Sequence, residues 1–208
     1  MTTTIIAEKR AMTAEEYLKM EREGIRERNG KYEFFNNQLR LILKEPLNHN
    51  RINRNVVQAL TNQIDDSDRD LELFFVDVRV VSYLSYKNCL YPDTFIVEGT
   101  PYFDDQQNDN LLNPRVIIEV LSNSTESFDR GDKFKSYRQI PTLQEYILIN
   151  QKHACIEQFY RDETGKWIFG DIISEGVFKL KSLPFELDIK QVYRTQTSSF
   201  QMSVGLKN

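Results

Sequence analysis

The chain has 208 residues, of which 40% are hydrophobic and 28% charged, enough length and apolar content to bury a sizeable core. Its formal net charge of −4 gives no bulk attraction to a polyanion, so any nucleic-acid contact must come from a local basic face. No run of about 18 apolar residues occurs and the start lacks a basic region followed by an apolar stretch, so neither membrane spanning nor export is expected.

Thr13-Ala-Glu-Glu16 is a capping box, in which a hydroxyl and a carboxylate satisfy amides left free at a helix start. It opens a short helix carrying Tyr17, Leu18 and Met20 that ends near Gly24. Lys31–Phe35 and Leu39–Leu43 flank the turn-prone Asn36-Asn37-Gln38 and read as a β-hairpin, with Glu33 inside its first strand. From His49 to about Ile64, the residues Ile52, Val56, Val57, Leu60 and Ile64 recur at helical spacing, which predicts an amphipathic helix packed on a sheet. The polar segment Asp65–Asp70 is an exposed loop. Leu73–Val81 reads as one strand, with Val76, Val78 and Val80 alternating against Asp77 and Arg79, and Thr94–Val97 resumes the β pattern after Tyr91-Pro92-Asp93.

Glu98–Asn113 is rich in acids and amides and predicts a solvent-exposed excursion. Arg115–Leu121 is apolar after its first residue apart from Glu119, the mark of a strand covered on both faces. Ser122–Thr125 turns into a helix through Phe134, Tyr137 and Arg138 that stops at Pro141, and Gln144–Ile149 is the next strand, so a βαβ crossover is expected. Ile156–Tyr160 and Lys166–Asp171 form a further hairpin around Asp162–Gly165. With no repeat, linker or second composition, residues 1–194 are expected to form one domain and 195–208 a polar C-terminal tail. Cys89 and Cys155 lie in apolar or strand-like surroundings without CxxC spacing and read as reduced thiols of a cytoplasmic protein.

Asp93 and Glu119 each border or interrupt a run that should be buried, where an ionised carboxylate needs a cation or a hydrogen-bond partner. Taken singly, the charged residues have ordinary readings: Glu33 pairs with Lys31 or Arg40, Asp93 makes a turn after Pro92, and Lys133 is a solvated helix residue. The ordered set is more specific. Tyr91-Pro92-Asp93, Ile117-Ile118-Glu119-Val120-Leu121-Ser122, Asp129-Arg130-Gly131-Asp132-Lys133-Phe134-Lys135-Ser136-Tyr137 and Ile140–Tyr146 resemble the Uma-type restriction-endonuclease family, a branch of the PD-(D/E)xK nuclease superfamily. The resemblance runs from about Met12 to Val192.

The resemblance implies an α/β fold with a restriction-endonuclease-like core: a mixed central β-sheet flanked by α-helices, additional β-hairpins, and the acids on adjacent strands. Asp93 and Glu119 match the two metal-binding acids, Lys133 the lysine, and Glu33 an additional acid from the early strand. Lysine two positions after the glutamate is the usual superfamily spacing, but that position is Leu121, and the lysine stands on the following helix instead. Asn36-Asn37 replaces a common Asp-Gly turn, and Asn150 stands where aspartate is common.

The chemistry agrees with this set. Phosphodiester hydrolysis brings a hydroxide-like nucleophile to a negatively charged phosphorus, and a hard Mg2+ or Mn2+ on carboxylates can both activate water and offset phosphoryl charge. Lys133 would donate to a phosphoryl oxygen or to the attacking water. His49, Arg130 and Lys135 are candidate substrate contacts, and Tyr137, four residues after Lys133, is a core residue of the same helix face. The function expected is that of a metal-dependent endonuclease acting on DNA. The rival is a non-catalytic nucleic-acid-binding or oligomeric module, favoured if Lys133 points away from the acids. Cutting both strands needs two sites or two visits, so a homodimer is expected, with the hairpins around Phe34-Phe35 or Phe159-Tyr160 either supplying the shared surface or belonging to the core.

Overall fold

The computed structural model describes residues 12–24, 30–75, 77–83 and 87–194. In chain order the elements are helix α1 (Ala14–Arg22), strands β1 (Lys31–Phe35) and β2 (Gln38–Ile42), helix α2 (Leu47–Asp65), and strands β3 (Leu71–Phe75), β4 (Arg79–Tyr83) and β5 (Lys87–Leu90). Strands β6 (Thr94–Glu98), β7 (Asn110–Leu111) and β8 (Val116–Leu121) follow. A helical segment then runs through α3 (Glu126–Phe128), a π-helical turn (Asp129–Lys133) and α4 (Phe134–Tyr137). The chain continues with β9 (Glu145–Asn150), β10 (Ile156–Arg161), β11 (Trp167–Ile173), β12 (Val177–Lys179), β13 (Glu186–Asp188) and helix α5 (Ile189–Val192).

The fold is mixed α/β. The central sheet has six strands in the order β11-β10-β9-β8-β6-β3, and a second sheet has five in the order β2-β1-β5-β4-β7. Each is mixed, with one parallel pair: β8 with β9 through the helical crossover, and β4 with β7. Strands β12 and β13 form a separate ribbon.

Strand β8 is buried along its whole length, and its period of two sends alternate side chains to opposite faces. Val116, Ile118 and Val120 join Ile52, Val56 and Leu60 of α2 in one core layer. Ile117 and Leu121 join Phe128, Tyr137 and Tyr146 in the other, and Glu119 shares their strand face. Truncating a residue such as Ile118, which is 0% exposed, would cost about 2–5 kcal/mol in lost burial and cavity formation. Helix α1 begins at the expected capping box, with Thr13 and Glu16 exchanging bonds, and docks Tyr17 and Leu18 on Phe34, Val81 and Cys89 of the second sheet. The Asn36-Asn37 turn has φ of 49° and 59°, the doubly left-handed geometry of a tight hairpin that asparagine tolerates.

Two expectations change. Leu73–Val81 is not one strand: β3 belongs to the central sheet and β4 to the second, and the chain crosses between them at Asp77, whose φ is +63°. Val76 lies outside the described residues, as do the stretch before Met12 and the tail after Arg194. The excursion after Glu98 is not wholly solvent-exposed, because Asn110 and Leu111 are buried as β7 and the Arg79 guanidinium bonds the Asn110 side chain and pairs with Asp109. A buried arginine needs such partners, and these supply them. Phe34 and Phe35 are core residues rather than a shared surface, and Phe159 packs against Phe134 and Phe169. Among the described residues, no helix is long and apolar enough to cross a membrane.

Candidate active site

Tyr91-Pro92-Asp93 is the link by which the chain leaves β5 of the second sheet and enters β6 of the central one. That crossing places Asp93 at the seam between the sheets. Glu33 reaches the seam from β1, Glu119 from β8, and Lys133 from the last residue of the π-helical turn. All four line one pocket of about 180 Å³. π-Helical turns often occur at functional sites, where the widened turn redirects side chains.

Lys133 is 5% exposed and turned toward the acids. Its ammonium lies 2.9 Å from Glu119 Oε1, 3.2 Å from Glu33 Oε1 and 3.6 Å from Asp129 Oδ1, and it donates to the Tyr91 carbonyl at 3.1 Å. Glu33 Oε1 also accepts from the Tyr91 N–H at 3.1 Å, so β1 and the inter-sheet link are tied at both the carboxylate and the ammonium. Burial alone would drive the Lys133 proton off, but Glu119 and Glu33 outweigh it and hold the ammonium well above its ordinary pKa. Burial pushes the Glu119 carboxyl well up; Lys133 opposes this, and Asp129 and Asp93 add to it. Asp129 is pushed up to about 6, chiefly by burial, against the pull of Lys133 and a hydrogen bond with Thr125.

Helix α2 supplies the other wall. His49 Nε2 lies 2.9 Å from Asp93 Oδ1, and His49 Nδ1 lies 3.4 Å from Glu45 Oε2. One turn on, Asn53 donates to the Asp93 carbonyl and accepts from the Thr94 hydroxyl. Asp93 Oδ2 accepts from the Val120 N–H at 2.7 Å. Burial disfavours the imidazolium of His49, yet Asp93 and Glu45 raise its pKa overall. Glu45 is raised by burial, with Asp93 and Asp129 adding to that and His49 opposing it.

The structure thus brings together Glu33, His49, Asp93, Glu119 and Lys133. It does not bring Arg130 or Lys135 into the pocket: Arg130 pairs with Glu126 and Glu157, and Lys135 is exposed on α4. Sequence reasoning passed over Glu45, Asp129 and the Tyr91 carbonyl. Asp129 and Glu45 each stand four residues before a site residue, a spacing that signals a shared helical face for Asp129 but is interrupted by Pro46 for Glu45. No side-chain pattern announces a backbone carbonyl.

Asp93 and Glu119 could hold a hard divalent cation. Glu119 Oε1 is buried without a hydrogen-bond partner, its ammonium contact being an ion pair only, and each Asp93 oxygen has one bond and a lone pair to spare. Among the described residues no three His, Cys, Asp or Glu side chains converge as a metal cluster. Two carboxylates suit Mg2+, which keeps several waters and completes its shell with substrate phosphate.

Mixed sheets flanked by helices give the chain a restriction-endonuclease-like α/β fold. The chain belongs to the Uma2 family, described as "Putative restriction endonuclease", whose model matches residues 14–190. Two relatives from Synechocystis sp. (strain ATCC 27184 / PCC 6803 / Kazusa) are similar to it over most of both chains. The protein sll1609 is 33% identical over 171 residues, covering 82% of this chain and 93% of its own. The protein slr1290 is 27% identical over 183 residues, covering 88% and 92%. The fold is also that of a solved structure from Anabaena variabilis ATCC 29413, described as a "putative nuclease belonging to DUF820", with a TM-score of 0.67 and 15% identity over 88% of this chain and 97% of that one.

Proposed function

We propose that this protein is a divalent-metal-dependent endonuclease that hydrolyses DNA phosphodiester bonds, with Asp93 and Glu119 as metal ligands and Lys133 and Glu33 completing the catalytic set. The observation that carries the reading is the Lys133 ammonium, which is turned into the pocket of the two acids and not out to solvent. That orientation disfavours the non-catalytic alternative. A bound Mg2+ or Mn2+ would lower the pKa of water and offset charge on the phosphoryl oxygens.

The chain's own residues prepare that chemistry. Val120 and His49 orient the Asp93 carboxylate through its two oxygens, and Glu33 steadies Lys133. Glu119 and Glu33 favour the charged form of Lys133 against its burial, so it would act as a hydrogen-bond donor and fixed charge to a phosphoryl oxygen. Its buried, low-dielectric setting makes that charge count for more than it would in water. His49 lines the pocket but spends its ring on Asp93, so its contribution to substrate passes through that carboxylate. Arg130 and Lys135 lie off the pocket, where they would serve as outer phosphate contacts.

A cytoplasmic homodimer is the arrangement this reading favours, because two sites are needed to cut both strands in one encounter. The test is cleavage of plasmid and of DNA and RNA oligonucleotides with Mg2+, with Mn2+ and with chelator, alongside light scattering. Cation-dependent DNA cleavage that Asp93→Ala abolishes is the expected result. Unchanged cleavage by that variant, or none on any substrate with either cation, overturns it.

A further inference from the structure

The mechanism above asks Lys133 to give a hydrogen bond to substrate, yet its ammonium already faces three carboxylates and a carbonyl. Here four oxygens surround it: Glu119 at 2.9 Å, the Tyr91 carbonyl at 3.1 Å, Glu33 at 3.2 Å and Asp129 at 3.6 Å. Only the contact with the Tyr91 carbonyl is a hydrogen bond; the three carboxylates hold the ammonium by charge, Glu119 most closely. The environment resembles the oxygen cage of a bound cation more than a lysine poised for catalysis, with one positive charge facing three carboxylates in a buried setting.

The contact nearest the ammonium is Glu119 Oε1, which is also the buried oxygen with no hydrogen bond. Two cations cannot both sit at contact distance from one carboxylate oxygen without strong mutual repulsion in a low-dielectric pocket. Asp129 offers a place to go. It stands four residues before Lys133 in the π-helical turn, is 3% exposed, lines the pocket, and already lies within ion-pair range. Its carboxylate takes no part in the mechanism above, and a buried acid needs a reason to be kept.

We propose that Lys133 and the divalent cation compete for Glu119, so that cation binding moves the ammonium off Glu119 toward Asp129 and Glu33 and turns the N–H that faced Glu119 to the phosphoryl group. Asp129 is then a positioning residue, the carboxylate that retains the lysine in the pocket once Glu119 is taken. The lysine guards the acids against one another until the cation arrives, and the same exchange arms it. This inference rests on the nuclease reading, in particular on Asp93 and Glu119 as ligands.

Isothermal titration of Mn2+ into the full chain tests it, using the wild type, Lys133→Met and Asp93→Asn. The expected result is a site that Asp93→Asn loses and that Lys133→Met binds at least tenfold more tightly than the wild type. Equal or weaker binding by Lys133→Met at an Asp93-dependent site overturns the competition while leaving the nuclease reading intact. No Asp93-dependent binding in any variant overturns that reading, and the competition with it. Should Lys133→Met not fold, the wild type decides: the 15N resonance of the Lys133 ammonium, assigned with Lys133→Arg, should shift on saturation with Mg2+, and an unmoved resonance overturns the proposal. Asp129→Asn should weaken Mn2+ binding at the Asp93-dependent site, because the displaced ammonium loses its second carboxylate, and should alter the end point of that shift; an unaltered isotherm and end point remove Asp129 from the proposal.

Discussion

The Val120 N–H donates to Asp93 Oδ2 at 2.7 Å, so the residue that follows one acid holds the carboxylate of the other. Because Val120 and Glu119 are consecutive on β8, the bond ties Asp93 to the strand that carries Glu119 and makes their relative position a property of the backbone. A side chain bonded this way loses the rotamer freedom that a cation would otherwise have to restrict.

Cation binding should stabilise the fold. At a free Mn2+ concentration one hundred times Kd the gain is about 2.7 kcal/mol, which in a chain of this size raises Tm by roughly 5–10 °C. Differential scanning calorimetry should show the rise in the wild type and none in Asp93→Ala.

Lys133→Ala should cut hydrolysis by about 10²-fold or more, because it removes a charge that serves the transition state. The deficit should lie in kcat, with KM changed far less. Single-turnover cleavage by protein free of contaminating nuclease measures this, and undiminished cleavage would dismiss Lys133 from the mechanism.

His49 should matter through Asp93. Groups that orient a metal ligand are worth about 10–100-fold in affinity or activity, and His49 Nε2 is 2.9 Å from the Asp93 carboxylate. His49→Ala should weaken Mn2+ binding by about that factor, and His49→Gln, which keeps a donor, should recover part of it. Equal isotherms for His49→Ala and the wild type would separate the ring from the cation.

Glu145 is a buried carboxylate with a different task. It accepts from Gln158, from the Lys181 and Ser182 amides and from the Ser182 hydroxyl, and so pins the 181–182 loop to β9. Glu145→Ala strands several of these donors and should cost about 3 kcal/mol. Urea denaturation should show that loss, while Mn2+ affinity stays unchanged.

Acid stability should depend on Asp109. Burial alone would raise its carboxyl, but hydrogen bonds and charge from Arg22 and Arg79 hold it below the ordinary range. A depressed folded-state pKa stabilises above the unfolded value of about 3.9 and loses that contribution as pH falls through the folded value. Asp109→Asn should therefore lower Tm at pH 7 and flatten its decline below about pH 4, which a series of melts across pH would reveal.

Much of the architecture was legible in sequence because local chemistry dictates it. The capping box at Thr13–Glu16 starts α1, the Asn36-Asn37 pair turns the β1–β2 hairpin, and helical spacing of Ile52, Val56 and Leu60 marks the buried face of α2. The break at Asp77 was hidden, because the alternation of apolar residues continues through it and only tertiary pairing assigns β3 and β4 to different sheets. The choice between core and shared surface for Phe34-Phe35 was hidden for a related reason: hydrophobicity says that a residue seeks burial, and only the docking of α1 and the helical segment says against what.

The sequence by itself determined which residues could do chemistry, since Glu119 within an apolar strand, Asp93 after Pro92 and Lys133 in a charged helical run stand out by residue type and local pattern. Only the tertiary structure decided how they meet. The crossing of the chain between two sheets sets Asp93 beside Glu119, the π-helical turn carries Asp129 and Lys133 into the same pocket, and α2 with the segment just before it brings in His49 and Glu45. Those encounters join segments far apart in the chain. They depend on sheet order and helix docking, which arise from the summed burial of many side chains and leave no mark at the residues they bring together.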